Sequence, residues 1–267
     1  MGDGKRTVVS VVTPSFNQAE FLVRNIESVR SQWSDKSDFD LEHIIIDGGS
    51  TDTSVEILKS YPHLRWISEK DAGQSDALNK GYRMVRGDLV GTLNTDDTYE
   101  PGAISRIVDF FARNPDVDVV YGLCHLIDEN DRVIKTWDPP EFRLKWLIRL
   151  GVSCIPHLTS FYRRSALEGV GLLDVNLHYA MDYDFFIRIG LKGFRVQKVP
   201  YLLANFRLHP SSKSVHDTNA MWRESKSVRA RYSQEPWPQW ALGFCSYKAQ
   251  RLITKAGKVL GIGGPKS

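Results

Sequence analysis

The sequence predicts an α/β fold with a mostly parallel central sheet flanked by helices, followed by a C-terminal helical extension. Three observations carry that expectation. Short β-branched runs recur through the first half, each ends in a polar, Gly-rich or Asx-rich turn, and each turn leads into an apolar pattern of helical period. With 267 residues, 42% of them apolar, the chain has the material for one full-sized domain core and a modest appendage.

Val8 to Thr13 is the first strand. A helix should follow with Asn17 as N-cap and Glu20 reaching back to it, and Phe21, Ile26 and Val29 mark its apolar face. His43 to Ile46 is the second strand; it runs into Asp47-Gly48-Gly49-Ser50, and a helix over Thr53 to Tyr61 follows. Arg65 to Ser68 is the third, ahead of Asp71-Ala72-Gly73 and a helix near Asp76 to Val85. Leu89 to Leu93 is the fourth and ends at Asn94-Thr95-Asp96-Asp97, after which Pro101-Gly102 opens a helix to about Arg113. Each polar cluster thus lies at the C-terminal end of a strand, the edge at which open parallel sheets bind ligands.

After Val117 to Tyr121 the regularity weakens. A strand over Arg132 to Trp137, an amphipathic segment over Glu141 to Leu150, a strand around Thr159 to Tyr162, a helix over Asp182 to Leu191 and an extended Arg195 to Phe206 complete the pattern. From about His216 the chain turns basic and Trp-rich, broken by Pro236 and Pro238. A helix from Leu242 would share Leu242, Cys245, Ala249, Leu252, Ala256 and Val259 on one face, beside a stripe of Lys248, Arg251, Lys255 and Lys258. Such a helix either packs on the preceding domain with its lysines in water or lies on an anionic membrane surface.

Composition narrows the function classes. A net charge of +3 gives no basis for strong nucleic-acid binding. Cys124, Cys154 and Cys245 are far apart without C-x-x-C pairing, and read as free thiols in a reducing cytosol. No stretch approaches the roughly 20 apolar residues a membrane-spanning helix needs, and the N-terminal run Val8 to Val12 is too short for a secretory signal. The expected location is therefore the cytoplasm, with peripheral contact at the inner face of a membrane as the option the basic tail leaves open.

Asn94-Thr95-Asp96-Asp97 is the strongest chemical signal. Adjacent carboxylates at a buried strand end repel one another unless a cation or hydrogen-bond donors compensate. Hard divalent ions accept such oxygens together with substrate phosphates, which suits Mg2+ or Mn2+. The alternative is an Asx-rich turn capping the next helix. Asp47-Gly48-Gly49-Ser50-Thr51-Asp52 combines glycines, which allow close backbone approach, with a carboxylate able to accept hydrogen bonds from a base or ribose; a capped strand-to-helix turn explains it equally well. Turn readings also stand beside Thr13-Pro14-Ser15-Phe16-Asn17 and the segment Asp71 to Gly81.

Taken together in order and spacing, these clusters resemble the family 2 glycosyltransferases of the GT-A fold. Glu69-Lys70-Asp71-Ala72-Gly73 through Asn79-Lys80-Gly81 and Leu93-Asn94-Thr95-Asp96-Asp97 belong to the resemblance. So do His157 to Arg164, Met181-Asp182-Tyr183-Asp184, and Arg207-Leu208-His209-Pro210 with Ser214, so that it covers about residues 8 to 214. It implies a GT-A catalytic domain over residues 1–215 and a helical extension over 216–267.

The resemblance implies that Pro14, Phe16 and Asn17 lie at the nucleotide, that Asp47 bonds the base, and that Asp71, Gly73 and Asp76 border base and ribose. Asn94 and Asp96 would contact the ribose, with a divalent ion on Asp96 or Asp97 and His209 beside it. Asn94 stands where many members carry Asp; its amide oxygen still coordinates but brings no charge. His157 and Arg207 would face the diphosphate or acceptor. Asp182 matches the family's general base, with Met181 where a Glu is usual and Asp184 as the rival carboxylate.

The implied reaction is inverting transfer of a sugar from a nucleotide diphosphate, UDP favoured, to a hydroxyl of a glycan or lipid-linked acceptor, in polysaccharide biosynthesis. Two other readings stand beside it. A sugar nucleotidyltransferase would want a Gly-rich, Arg-containing loop after the first strand, where this chain has Thr13-Pro14-Ser15-Phe16-Asn17. A noncatalytic nucleotide-sugar binding module would tolerate loss of the base, yet Asp182 is present. A dinucleotide oxidoreductase is disfavoured because no G-x-G-x-x-G follows the first strand.

Overall fold

A computed structural model of the chain describes residues 6–151, 153, 155–210, 212 and 218–233. Its pivot is β1 (Thr7–Ser15), whose Val9, Val11, Val12 and Thr13 fit a pleated surface buried on both faces. β1 runs parallel to β2 (Phe39–Asp47) on one side and to β4 (Leu89–Thr92) on the other, and β3 (Arg65–Ser68) adds parallel to β2. Helices α1 (Ala19–Arg30), α2 (Ser54–Lys59) and α3 (Gln74–Met84) follow β1, β2 and β3 in the chain. Val9 and Val11 pack with Val29 of α1 and with Ile104 and Ile107 of α4 (Ala103–Arg113), whereas Val12 packs with Leu78 and Tyr82 of α3. One alternating strand therefore anchors two helical layers.

Past β4 the sheet turns mixed, in the part of the chain where the sequence pattern loses its regularity. β8 (Phe161–Arg163) pairs antiparallel with β4 and with β6 (Val119–Ile127); β7 (Val133–Trp137) folds back on β6, and β9 (Val196–Arg207) runs parallel to β6. The two-residue β5 (Thr98–Tyr99) pairs antiparallel with β9, and the resulting order is β3-β2-β1-β4-β8-β6-β9-β5, with β7 on β6. Helices α5 (Leu144–Leu150), α6 (Arg164–Val170) and α7 (Met181–Leu191) flank this half, and Tyr183, Phe185, Phe186 and Ile187 of α7 enter its core. A further helix, α8 (Thr218–Tyr232), contributes Val228 to the same core.

Two local expectations need correcting. Asn17 does not cap α1: it adopts a left-handed conformation at φ 50°, and the helix begins after Gln18 with no side-chain cap of its own. Asp52, from the loop after β2, supplies the acceptor instead, taking the Ala19 N–H at 2.9 Å. β5 and α6 were not expected; two residues of strand carry no readable period, and α6 follows β8 with no intervening turn signal. Part of the chain beyond His216, where a helical extension was expected, forms α8. The helix expected from Leu242, the boundary between residues 215 and 216, Cys154, Cys245 and Ser214 lie outside the described residues. Among the described residues, no helix is long and apolar enough to cross a membrane.

The joint between α3 and β4 admits no side chain. A Cβ on Gly87 would stand 2.5 Å from Ser10 Oγ, 2.7 Å from Ser10 N and 2.8 Å from Val8 O. Because two of those atoms belong to the central strand's backbone, Gly87→Ala should cost about 1–3 kcal/mol and lower the thermal midpoint by roughly 5 °C in a melting experiment; an unchanged midpoint would show that the joint yields.

Candidate functional site

The C-terminal ends of β1, β2, β3 and β4 converge on one rim. β1 and β2 are paired to their last residues, Ser15 opposite Asp47, and Gly48 N–H donates to Ser15 O at 2.8 Å. Beyond them the two loops interlock: Asn17 N–H donates to Ser50 Oγ at 2.8 Å, and Asn17 Oδ1 accepts the Thr51 N–H at 2.8 Å. Phe16 is left projecting, 58% exposed.

Asp47 points the other way. Fully buried, its carboxylate accepts the N–H groups of Gly49 at 3.2 Å and Ser50 at 2.9 Å, the Ser68 hydroxyl at 2.7 Å, and the Ser50 hydroxyl. The residue expected at the base organises its own loop from within in this structure. Asp71 lies against the same loop: its Oδ2 is 2.6 Å from where a Cβ on Gly48 would stand, while its Oδ1 accepts the Gly73 N–H at 2.9 Å. Asp76 Oδ2 accepts the Ala72 N–H at 3.1 Å, and Gly73, at φ 111°, turns the chain into α3.

The next residue, Gln74, donates to Asn94 Oδ1 at 2.8 Å and so ties this loop to the end of β4. Thr95 Oγ1 donates to Pro14 O at 2.8 Å. Asn25, buried on the apolar face of α1, donates to Asn94 O at 2.8 Å and Asp97 O at 3.0 Å. Sequence reading missed both Gln74 and Asn25, although a polar residue within the stripe Phe21, Leu22, Ile26, Val29 was a visible signal for the second.

The adjacent carboxylates separate in role. Asp96 Oδ2 meets His209 Nε2 at 3.0 Å. Asp97 is buried, and its oxygens take the Arg207 N–H at 3.0 Å and the Asn94 amide at 3.3 Å. Burial, reinforced by the charge of Asp96, pushes the Asp97 carboxyl well above the usual carboxylate range. Asp97, expected at the metal, here braces the strand end from within. Among the described residues no three His, Cys, Asp or Glu side chains cluster in a way that encloses a metal ion. Asp96 and His209 supply one carboxylate oxygen and one imidazole nitrogen, a half-set that suits an ion taking its other ligands from substrate phosphate and water.

Arg207 also turns inward. Its guanidinium is fully buried: Nε donates to Asp96 O at 2.9 Å, Nη1 to Asp128 O at 3.1 Å, and Nη2 pairs with Asp131 at 2.6 Å. It also lies 5.4 Å from the centroid of the Phe21 ring, whose other neighbour is the His209 ring. Committed in this way, it holds the Asp96 backbone in place. His157 sits on a 3₁₀ turn (His157–Thr159), where burial lowers its pKa to about 4.

Across the N-terminus of α3 lies Asp182. Ser75, next to Gln74, donates to Leu177 O at 2.6 Å and contacts Met181 Sδ at 3.0 Å, so neighbouring residues of α3 touch Asn94 on one side and the residue before Asp182 on the other. Desolvation raises the Asp182 pKa to about 6 against the pull of the Tyr183 N–H. Asp184, the rival carboxylate, is spent inside the fold on Arg188 at 2.7 Å and the Tyr232 hydroxyl at 2.7 Å.

Residues 10–171 match the sequence model described as glycosyl transferase family 2. An uncharacterized glycosyltransferase of Mycobacterium tuberculosis is 32% identical over 189 residues, covering 68% of this chain and 69% of that one. The S. aureus TarS structure, residues 1–349 in complex with UDP-GlcNAc, superposes with a TM-score of 0.64 at 15% identity, covering 92% of this chain and 70% of that one; the chain spans 42% of a longer TarS structure. A mannosyltransferase of Pyrobaculum calidifontis, in complex with GDP-Man and Mn2+, gives 0.60 at 17% identity, covering 98% and 77%. The fold is thus of the GT-A type the motifs implied.

Arg207→Met keeps the side chain's bulk while removing the guanidinium's hydrogen bonds to the carbonyls of Asp96, Asp128 and Glu129 and its pair with Asp131. The substitution should destabilise the fold by more than about 2 kcal/mol, because it leaves three backbone carbonyls short of a donor at about 1–3 kcal/mol each. Urea unfolding checks this, and a loss under about 1 kcal/mol would mean the guanidinium is no brace.

Proposed function

The chain belongs to the glycosyl transferase family 2, and from that premise we propose that it is an inverting, metal-dependent transferase. It moves a sugar from a nucleotide diphosphate, UDP favoured, to a hydroxyl of a glycan or lipid-linked acceptor. The observation that carries this reading is the meeting of Asp96 and His209, 113 residues apart, at 3.0 Å on the rim of the sheet beside Asn94. TarS has been solved with UDP-GlcNAc and the Pyrobaculum mannosyltransferase with GDP-Man and Mn2+, which supports a nucleotide-sugar donor and a divalent ion here.

In this reading Phe16 offers its exposed ring to the base. Asp71 keeps one carboxylate oxygen for a base or ribose donor, and Pro14, Asn17, Gly73 and Asp76 shape the walls. Asn94, fixed by Gln74, presents its amide to the ribose. Asp96 and His209 hold Mn2+ or Mg2+, which when bound offsets the negative charge that develops on the departing diphosphate. The imidazole in the donor set favours Mn2+.

Asp182 takes the proton of the acceptor hydroxyl. As that oxygen forms its bond to the anomeric carbon from one face, the bond to the diphosphate oxygen breaks on the other, and the nucleoside diphosphate leaves with the electron pair. A single displacement inverts the anomeric centre. A raised pKa suits the task, because a base near 6 is ionised at neutral pH yet basic enough to accept a proton. Work in the cytoplasm, with the basic tail at the inner face of a membrane, fits a lipid-linked acceptor and polysaccharide biosynthesis.

Two measurements test the proposal. In thermal-shift screening, UDP or a UDP-sugar with Mn2+ at about 100 Kd should stabilise the chain by about 2.7 kcal/mol, and Asp96→Asn or His209→Ala should remove the part that depends on metal; equal stabilisation with and without Mn2+ counts against the metal. In kinetics, kcat/KM should fall as pH drops through about 6, because Asp182 loses its negative charge there. Asp182→Asn should retain donor binding while turnover falls about 10² to 10⁴-fold, and full turnover in that variant would remove Asp182 as the base.

A further inference from the structure

The peptide just ahead of α7 is held by a residue from a distant helix. Glu224 of α8 accepts three successive backbone N–H groups on one carboxylate: His178 at 2.8 Å, Tyr179, and Ala180 at 2.6 Å. Three consecutive N–H groups turned to one point form an anion-binding concavity, and bonds to a charged acceptor are about twice as strong as neutral ones. Ala180 is also the residue whose carbonyl opens α7, accepting the Asp184 N–H at 3.0 Å, and it provides no side-chain cap. Asp182 follows two residues later.

α8 is itself fastened on the same side. Val228 is buried in the core; Arg231 pairs with Asp174 at 2.8 Å; and the Tyr232 hydroxyl donates to Asp184 at 2.7 Å. Both partners of Glu224's helix thus flank the segment that carries the base. All of this lies beyond residues 10–171, the stretch the family model matches.

We propose that Glu224 is a positioning residue for transfer: through α8 it clamps residues 178–180 and so fixes where the Asp182 carboxylate meets the acceptor hydroxyl. The inference rests on Asp182 being the base. The titratable groups set against Asp182 from other elements are Tyr162 of β8 and Glu224 itself; on its own helix, Asp184 is taken up by Arg188 and Tyr232. Glu224 therefore does two separable things. It orders the peptide, and its negative charge makes Asp182 harder to ionise.

The test uses the full chain and the variants Glu224→Gln and Glu224→Ala, with Asp182→Asn in parallel. Amide hydrogen exchange over residues 178–180 should speed up at least about tenfold in both Glu224 variants, while stabilisation by UDP with Mn2+ stays as in the wild type. Turnover of UDP-GlcNAc, read as UDP release, should fall about tenfold in Glu224→Ala and less in Glu224→Gln, which keeps one carbonyl acceptor. The acid limb should move to lower pH in Glu224→Gln, since a like charge has gone; a merely unstable variant lowers the plateau without moving the limb. Unchanged exchange overturns the clamp. Loss of turnover in Asp182→Asn with both Glu224 variants at wild-type level overturns the clamp and leaves the base; full turnover in Asp182→Asn removes both.

Discussion

Asp97 must be buried with hydrogen bonds or the rim cannot exist. It sits at the end of β4 beside another carboxylate, and a carboxylate without donors is among the costliest groups to enclose. The donors come from the far end of β9. Because Thr98 pairs with Asn205, the residues flanking that two-residue strand face each other, and the Arg207 N–H reaches Asp97 while its guanidinium reaches the Asp96 carbonyl. Two segments more than a hundred residues apart are thereby stapled, and the same staple sets His209 against Asp96.

From this constraint the division of labour follows. A buried carboxylate whose lone pairs are taken is a brace, and its neighbour, turned toward the rim with an imidazole alongside, is the group left for chemistry. Asp47 repeats the logic at the end of β2, where four donors consume it and Asp71 lies against the same loop. At α7 Asp184 takes Arg188 and the Tyr232 hydroxyl, while Asp182 accepts the Tyr183 N–H and the Ser153 hydroxyl. In each place the chain spends one carboxylate on holding the fold.

Much of this was legible in the sequence. β-branched runs with polar termini located β1 to β4 and the rim, since a strand buried on both faces leaves little choice of residue, and Pro101-Gly102 marked the start of α4. What local pattern does not contain is which of two adjacent carboxylates turns inward. That choice is made by donors far away in the chain: Arg207 for Asp97, Ser68 for Asp47, Tyr232 for Asp184. The start of α1 was misread for the same reason, because Asp52 rather than Asn17 supplies its acceptor. Glu224 carried no signal at all, since its partners are backbone N–H groups, which any sequence possesses.

The central claim is that Asp96 and His209 together receive a cation that the donor's diphosphate completes. Pulsed electron paramagnetic resonance of Mn2+ bound to the chain with UDP reads it directly, because a coordinated imidazole nitrogen modulates the echo. The account predicts nitrogen coupling that requires UDP and disappears in His209→Ala. A bound Mn2+ with oxygen ligands only, and the same spectrum in that variant, would contradict it.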